Sequence, residues 1–147
     1  MILPEEMIFL DFDGVIVPLG KPSLRDIGVK KAVENFNSLL KQRPNAMVTI
    51  SSHWRLHGLS YCKRYLEGLG VDPDRVIAIT GEEPGDRGHQ IQLFLGRHPE
   101  IKRFVIFDDH SDMQPLMTKF VKTSPYTGLT KQNIEEAIRI LDEKRSA

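Results

Sequence analysis

An α/β fold on a mostly parallel five-stranded sheet is predicted by three features of the chain. Short apolar runs alternate with longer amphipathic stretches, which is the rhythm of successive βα units. Three of those runs stop abruptly on a polar residue: Met7-Ile8-Phe9-Leu10 at Asp11, Met47-Val48-Thr49-Ile50 at Ser51, and Phe104-Val105-Ile106-Phe107 at Asp108 and Asp109. Between the runs, apolar residues recur at helical spacing. Together these features predict a three-layer α/β/α sandwich.

Taken in order, the first run is continuously apolar, as a strand covered on both faces should be. After it, Ala32, Val33, Phe36, Leu39 and Leu40 share one face of a helix, and Ser23-Leu24-Arg25-Asp26 resembles a capping box at its start. The second run leads to a helix carrying Leu59, Cys62, Leu66 and Leu69 on one side. Val76-Ile77-Ala78-Ile79 and Phe120-Val121 are weaker strands on either side of the third strong run. A last helix presents Ile134, Ala137, Ile138 and Leu141, with Thr130 after Gly128 placed to cap it. The sequence holds no internal repeat, low-complexity tract or linker. At 147 residues, 40% apolar and 27% charged, it suits one globular domain spanning 1–147.

Lys plus Arg (20) balances Asp plus Glu (20), so no bulk charge draws the chain to nucleic acid or an anionic membrane. The single cysteine, Cys62, cannot form an intramolecular disulfide, and no Cys and His have zinc-ligand spacing. Glu5 and Glu6 stand where a signal peptide needs basic residues, and no apolar run approaches a membrane span. The expectation is a cytoplasmic protein with no membrane contact and no obligate protein partner.

In open α/β sheets, ligands bind at the carboxyl ends of the strands, where the strand order switches direction. The polar residues that end the apolar runs all fall there. Side chains two apart in extended backbone project to the same side, so Asp11 and Asp13 can face one pocket, and Gly14 permits a sharp exit. Adjacent carboxylates repel, which calls for a cation or a shared proton. Asp108 and Asp109 can complete an oxygen cage with open positions, a donor set suited to Mg²⁺.

Phe9-Leu10-Asp11-Phe12-Asp13-Gly14-Val15 resembles the first motif of haloacid dehalogenase (HAD) phosphatases, Ile50-Ser51-Ser52 the second, Arg87 the basic third, and Phe107-Asp108-Asp109 the fourth. More narrowly, Ser51-Ser52-His53-Trp54-Arg55, Arg87-Gly88-His89-Gln90-Ile91, Asp108-Asp109 and Thr127-Gly128-Leu129-Thr130 resemble the HAD domains of "Swiss Army knife" RNA repair proteins. The resemblance implies a Rossmann-like, HAD-like core and a Mg²⁺-dependent phosphomonoester hydrolase. Asp11 would attack phosphorus to give an aspartyl-phosphate. Asp13 would protonate the leaving oxygen and then activate water, while its backbone carbonyl ligates the metal.

By the same resemblance, Ser51 and the backbone amide of Ser52 would hold phosphoryl oxygens at a helix N-terminus, with Gly14 nearby, and Arg87 would neutralise developing charge. Asp109 is the expected direct metal ligand, with Asp108 beside it. The intervals between motifs leave no room for a cap domain, so the site should be open beneath a short Val15 to Ser23 flap. Such a site admits bulky phosphorylated substrates, a polynucleotide end among them. There Trp54 would stack on a base and Arg55 would touch a backbone phosphate.

Plainer readings stand beside these. Ser51 could serve as a helix N-cap, Arg87 could pair with Asp86 or Glu83, and Trp54 could pack into the core with Arg55 on a solvated turn. Of the five histidines only His110, next to the aspartate pair, is placed to reach substrate, and none is expected to bind metal. Cys62 lies on an apolar stripe, where a packed thiol is the simpler role. The rival to an enzyme is a catalytically inactive HAD-like module that binds phosphate or a partner. A receiver-like domain fits less well, because its paired acids follow the first strand and its phosphoacceptor a middle one.

Overall fold

The computed structural model describes residues 2–20 and 22–145, without the side chains of residues 22–25. The capping box expected at Ser23 falls among those side chains and lies outside the described part. The elements are β1 (Glu6–Leu10), α1 (Pro22–Gln42), β2 (Met47–Ile50), α2 (Leu59–Leu69), β3 (Val76–Ile79), α3 (Arg87–Arg97), β4 (Arg103–Asp108), β5 (Phe120–Lys122) and α4 (Lys131–Leu141). All strand pairs are parallel, in the order β3-β2-β1-β4-β5, so the five-stranded sheet predicted from the apolar runs is present throughout. No described helix is long and apolar enough to cross a membrane.

Pleating divides each strand between two cores. Ile8, Leu10, Val48, Ile50, Val105 and Phe107 face α1, α2 and α4, and the three predicted helix stripes pack there. Met7, Phe9, Phe104 and Ile106 face the other way, against Ile91, Phe94 and Leu95 of α3. Phe9 meets Phe94 and Phe104 edge to face, at centroid distances of 5.7 and 5.9 Å. The sandwich is therefore uneven, with three helices on one face and a single helix on the other.

The order places β1 at the centre, with the chain moving outward to β2 and β3 on one side and to β4 and β5 on the other. Register then determines what meets at the switch point. Leu10 pairs with Ile50 and with Phe107. The ladder runs one step further through backbone bonds from Thr80 N to Ile50 O, Ser51 N to Leu10 O, Asp11 N to Phe107 O and Thr123 N to Asp108 O. A row of buried polar residues, Thr80, Ser51, Asp11, Asp108 and Thr123, thus crosses the carboxyl edge of the sheet.

The segment expected as a flap does something else. Phe12 O accepts from the amides of Val15, Ile16 and Val17, and Val15 and Ile16 are fully buried. The loop before α4 straps this turn down, with Leu129 N donating to Val15 O and Leu19 N to Pro125 O. Gly128 (φ +66°) is needed there, since a Cβ would sit 2.5 Å from Val15 O. Two apolar side chains thus anchor the start of the stretch in the core.

Candidate active site

Asp11 emerges from the central strand almost entirely buried, with Oδ1 accepting from the Phe12 amide at 2.8 Å. Asp108 ends β4 beside it, fully buried, and accepts from the backbone N–H of His110 at 2.9 Å. Arg87, the first residue of α3, reaches between them: one guanidinium nitrogen lies 2.5 Å from Asp108 Oδ2 and 3.7 Å from Asp11 Oδ1. The surface pairings considered for Arg87 are absent, because Asp86 caps α3 by accepting from His89 N and Glu83 pairs with Arg97.

This arrangement leaves negative charge under-compensated. Burial, reinforced by the neighbouring Asp108 carboxylate, pushes Asp11 up to about 7, against the pull of Arg87. Burial likewise raises Asp108, with Arg87 opposing. Asp109 is nine-tenths buried, and its Oδ1 accepts no hydrogen bond among the described residues. Gly14 makes room for it: at φ +80°, a Cβ there would fall 2.3 Å from Asp109 Oδ2. A donor atom from each of Asp11, Asp108, Asp109 and His110 lies within 4.8 Å of the others, close enough for a cluster that could hold an ion.

Several expected site residues take other positions. Asp13 stands outside that cluster, exposed, with Oδ2 accepting from the Trp54 indole N–H at 3.1 Å. Gly14 supplies space in place of a substrate contact, since its N–H donates to Val17 O and its carbonyl accepts from Thr123 Oγ1. Ser51 lies in the polar row with its buried hydroxyl unpartnered, but it is not an N-cap. Ser52 holds that position, on a five-residue 3₁₀ turn (His53–His57) and not on a long helix, so the expected dipole attraction is lacking.

Arg55 is neither on a solvated turn nor free for phosphate. It is buried, donating to Gly81 O, Ser52 O and Gln90 Oε1, and clamps the second motif to the loop before α3. Burial, helped by the like charge of Arg87, lowers its pKa. Trp54 is half-buried, stacked on Tyr65 at 4.6 Å and tilted against Phe12 at 5.6 Å. Cys62 is buried as expected, its thiol donating to Trp54 O and pushed up in pKa by burial.

His110, marked in the sequence as the one histidine placed to reach substrate but not as a metal ligand, lies within the acidic cluster. Its Nδ1 lies 2.9 Å from Asp109 Oδ1, and the carboxylates of Asp109 and Asp108 raise its pKa. Its position directly after the aspartate pair was the available signal.

The chain matches, over residues 7–134, the family described as the HAD domain in Swiss Army Knife RNA repair proteins. The HAD domain of the effector protein Lem4 from Legionella pneumophila has a similar structure, with a TM-score of 0.60 and 18% identity over 94% of this chain and 96% of that one. At that identity the likeness is one of fold. No curated protein matches the chain. The match runs from Met7 in β1 to Ile134 in α4 and takes in every strand and the whole acidic edge, so the chain belongs to the family of HAD domains found in Swiss Army Knife RNA repair proteins.

Proposed function

We propose that this chain hydrolyses phosphate monoesters with Asp11 as the nucleophile and a divalent cation, Mg²⁺ in the first instance, as cofactor. One observation carries the reading: a buried Asp11 whose charge is opposed by Asp108 and only partly met by Arg87, at the switch point of the sheet. A cation fits this site. Asp109 offers a buried carboxylate oxygen whose neighbour is the exposed His110 ring, and Gly14 opens the space that Asp109 occupies. Asp11 and Asp109 would hold the ion, with Asp108 and the Asp13 carbonyl beside them. When bound, it would screen the anionic nucleophile from an anionic substrate.

The protein's own groups account for the rest. The Asp11 carboxylate, steadied by the Phe12 amide and the Ser52 hydroxyl, would attack phosphorus as the ester P–O bond breaks. Asp13, held at the rim by Trp54, gives a proton to the leaving oxygen. It then takes one from the water that attacks the aspartyl-phosphate, releasing inorganic phosphate and free Asp11. The Ser51 hydroxyl, buried and unpartnered, and the Ser52 amide would bind the phosphoryl oxygens. Arg87 bridges Asp11 and Asp108 and would stabilise charge in the transition state.

The family description and the absence of a cap over the carboxyl edge favour a phosphorylated polynucleotide end as substrate. The test is phosphate release by wild type and Asp11→Asn, with and without MgCl₂, on 3′- and 5′-phosphorylated oligonucleotides, nucleotides, sugar phosphates and phosphopeptides. Wild type should release phosphate only with the metal, and the variant should lose at least ~10³-fold. Binding of Mg²⁺ and phosphorylated ligands without any release would favour the non-catalytic module instead. Activity confined to small sugars would overturn the polynucleotide assignment.

A further inference from the structure

We propose that the exposed rings of His57 and Tyr61 form a shelf on which the base of the substrate's terminal nucleotide stacks, so that a phosphorylated strand end is held by its base as well as by its phosphate. The inference rests on the polynucleotide reading above and names the surface that would recognise such an end.

Continuity with the cleft is the first support. A run of aromatic rings starts at Phe12, fully buried and next to Asp11 in the chain, and leads outward. Phe12 lies 5.4 Å from Tyr65 and 5.6 Å from Trp54, and Trp54 stacks on Tyr65 at 4.6 Å. Tyr61 follows 6.1 Å from Trp54 with the planes 28° apart, and His57 meets Tyr61 at 4.7 Å. The Trp54 indole N–H reaches Asp13, so the run passes directly beside a carboxylate of the cleft.

Exposure is the second. Trp54 and Tyr65 are half-buried, whereas Tyr61 is 40% exposed and His57 is exposed. Trp54, expected from the sequence to take a base, is thus an inner member of the run, and the two outer rings are the accessible ones. Neither outer side chain makes a hydrogen bond or ion pair among the described residues, so both are held by ring contacts alone. Core packing accounts for the inner rings but not for aromatic surface left open at the mouth of a cleft, which is a mark of binding sites.

Local backbone is the third. Gly58, at φ +92°, turns the chain from the 3₁₀ turn (His53–His57) into α2 and so sets His57 against Tyr61 in the first turn of that helix. A Cβ on Gly58 would meet nothing within 4 Å, so the junction carries no cover. Every base has a π-face, so a shelf of this kind accepts any nucleotide end, while a sugar phosphate offers it nothing to stack.

Asp11→Asn serves as a background that binds without turnover. Binding is read in MgCl₂ by fluorescence anisotropy, with labelled single-stranded oligonucleotides phosphorylated at the 3′ or the 5′ end and carrying a terminal nucleotide that is either intact or abasic. Removing the base should weaken binding about tenfold, and Tyr61→Ala should weaken binding of the intact end by about the same factor. The two losses should not add, because both remove one contact. Tyr61→Phe should stay within about twofold, and His57→Ala should lose about threefold. Far-UV circular dichroism checks the fold of each variant. Equal binding of intact and abasic ends, additive losses, or no binding of the intact end overturns the shelf. Phosphate release from those oligonucleotides by wild type would in that case leave the hydrolase reading intact. Base-dependent binding that is lost in Tyr61→Ala, without phosphate release by wild type, would remove the hydrolase reading and leave the shelf.

Discussion

The two ends of the sheet handle charge in opposite ways. At the amino end, helix C-termini present carbonyls, and basic side chains meet them. Arg75 donates to Leu40 O, Arg43 O and Ala46 O, and Arg103 to Leu141 O and Asp142 O. Arg145 reaches Leu95 O and His98 O, and Lys119 reaches Glu143 O. These cations match the negative end of the helix dipoles. At the carboxyl end, Asp11 and Asp108 share one arginine, and Asp109 meets the His110 ring at 2.9 Å. A net charge of zero therefore conceals one end where basic side chains meet helix carbonyls and another where buried carboxylates gather.

The largest break in that contrast is Arg87→Met. It strands the fully buried Asp108 and should cost about 3–5 kcal/mol in urea unfolding at pH 8, less at pH 5 where Asp108 can take up a proton. Next is pH. Asp11 sits at about 7 in the fold against 3.8 for the ordinary carboxyl, so its burden is fully present above pH 7 and is relieved as pH falls toward 4. The metal-free protein should therefore gain stability on acidification from pH 8 to 5, on the order of 3 kcal/mol. Saturating MgCl₂ should raise the unfolding midpoint more at pH 8 than at pH 5.

Smaller effects sharpen the contrast. Arg75→Met, at the completed end, should cost about 2 kcal/mol through lost hydrogen bonds to carbonyls, with no dependence on divalent cation. Trp54→Phe keeps a ring against Tyr65 and removes the N–H that holds Asp13. Turnover of alkyl phosphates should fall about tenfold, while p-nitrophenyl phosphate, whose leaving group needs no proton, should change little. Equal losses on both substrates would show that Trp54 supports the fold only.

The acidic edge was legible because β-strand runs advertise themselves: each strong run stops on the residue that the sheet register later aligns at the switch point. Helix α3 was harder to read. Its buried residues, Ile91, Phe94 and Leu95, make a short stripe between Gly88 and Gly96, and glycine weakens the helical signal. Arg55 illustrates a different limit. A charged residue after a phosphate motif suggests a ligand contact, yet besides the local Ser52 carbonyl its donors go to Gly81 O and Gln90 Oε1, which only the tertiary fold brings near. His110 was legible from its place beside the aspartate pair, but the direction of its ring was not.

The Trp54 indole is the only one in the chain, and its N–H rests on the carboxylate assigned to proton transfer. The protein thus carries its own optical probe at the rim of the cleft. Emission excited near 295 nm would follow Asp13 as it leaves and regains that contact, on unlabelled material.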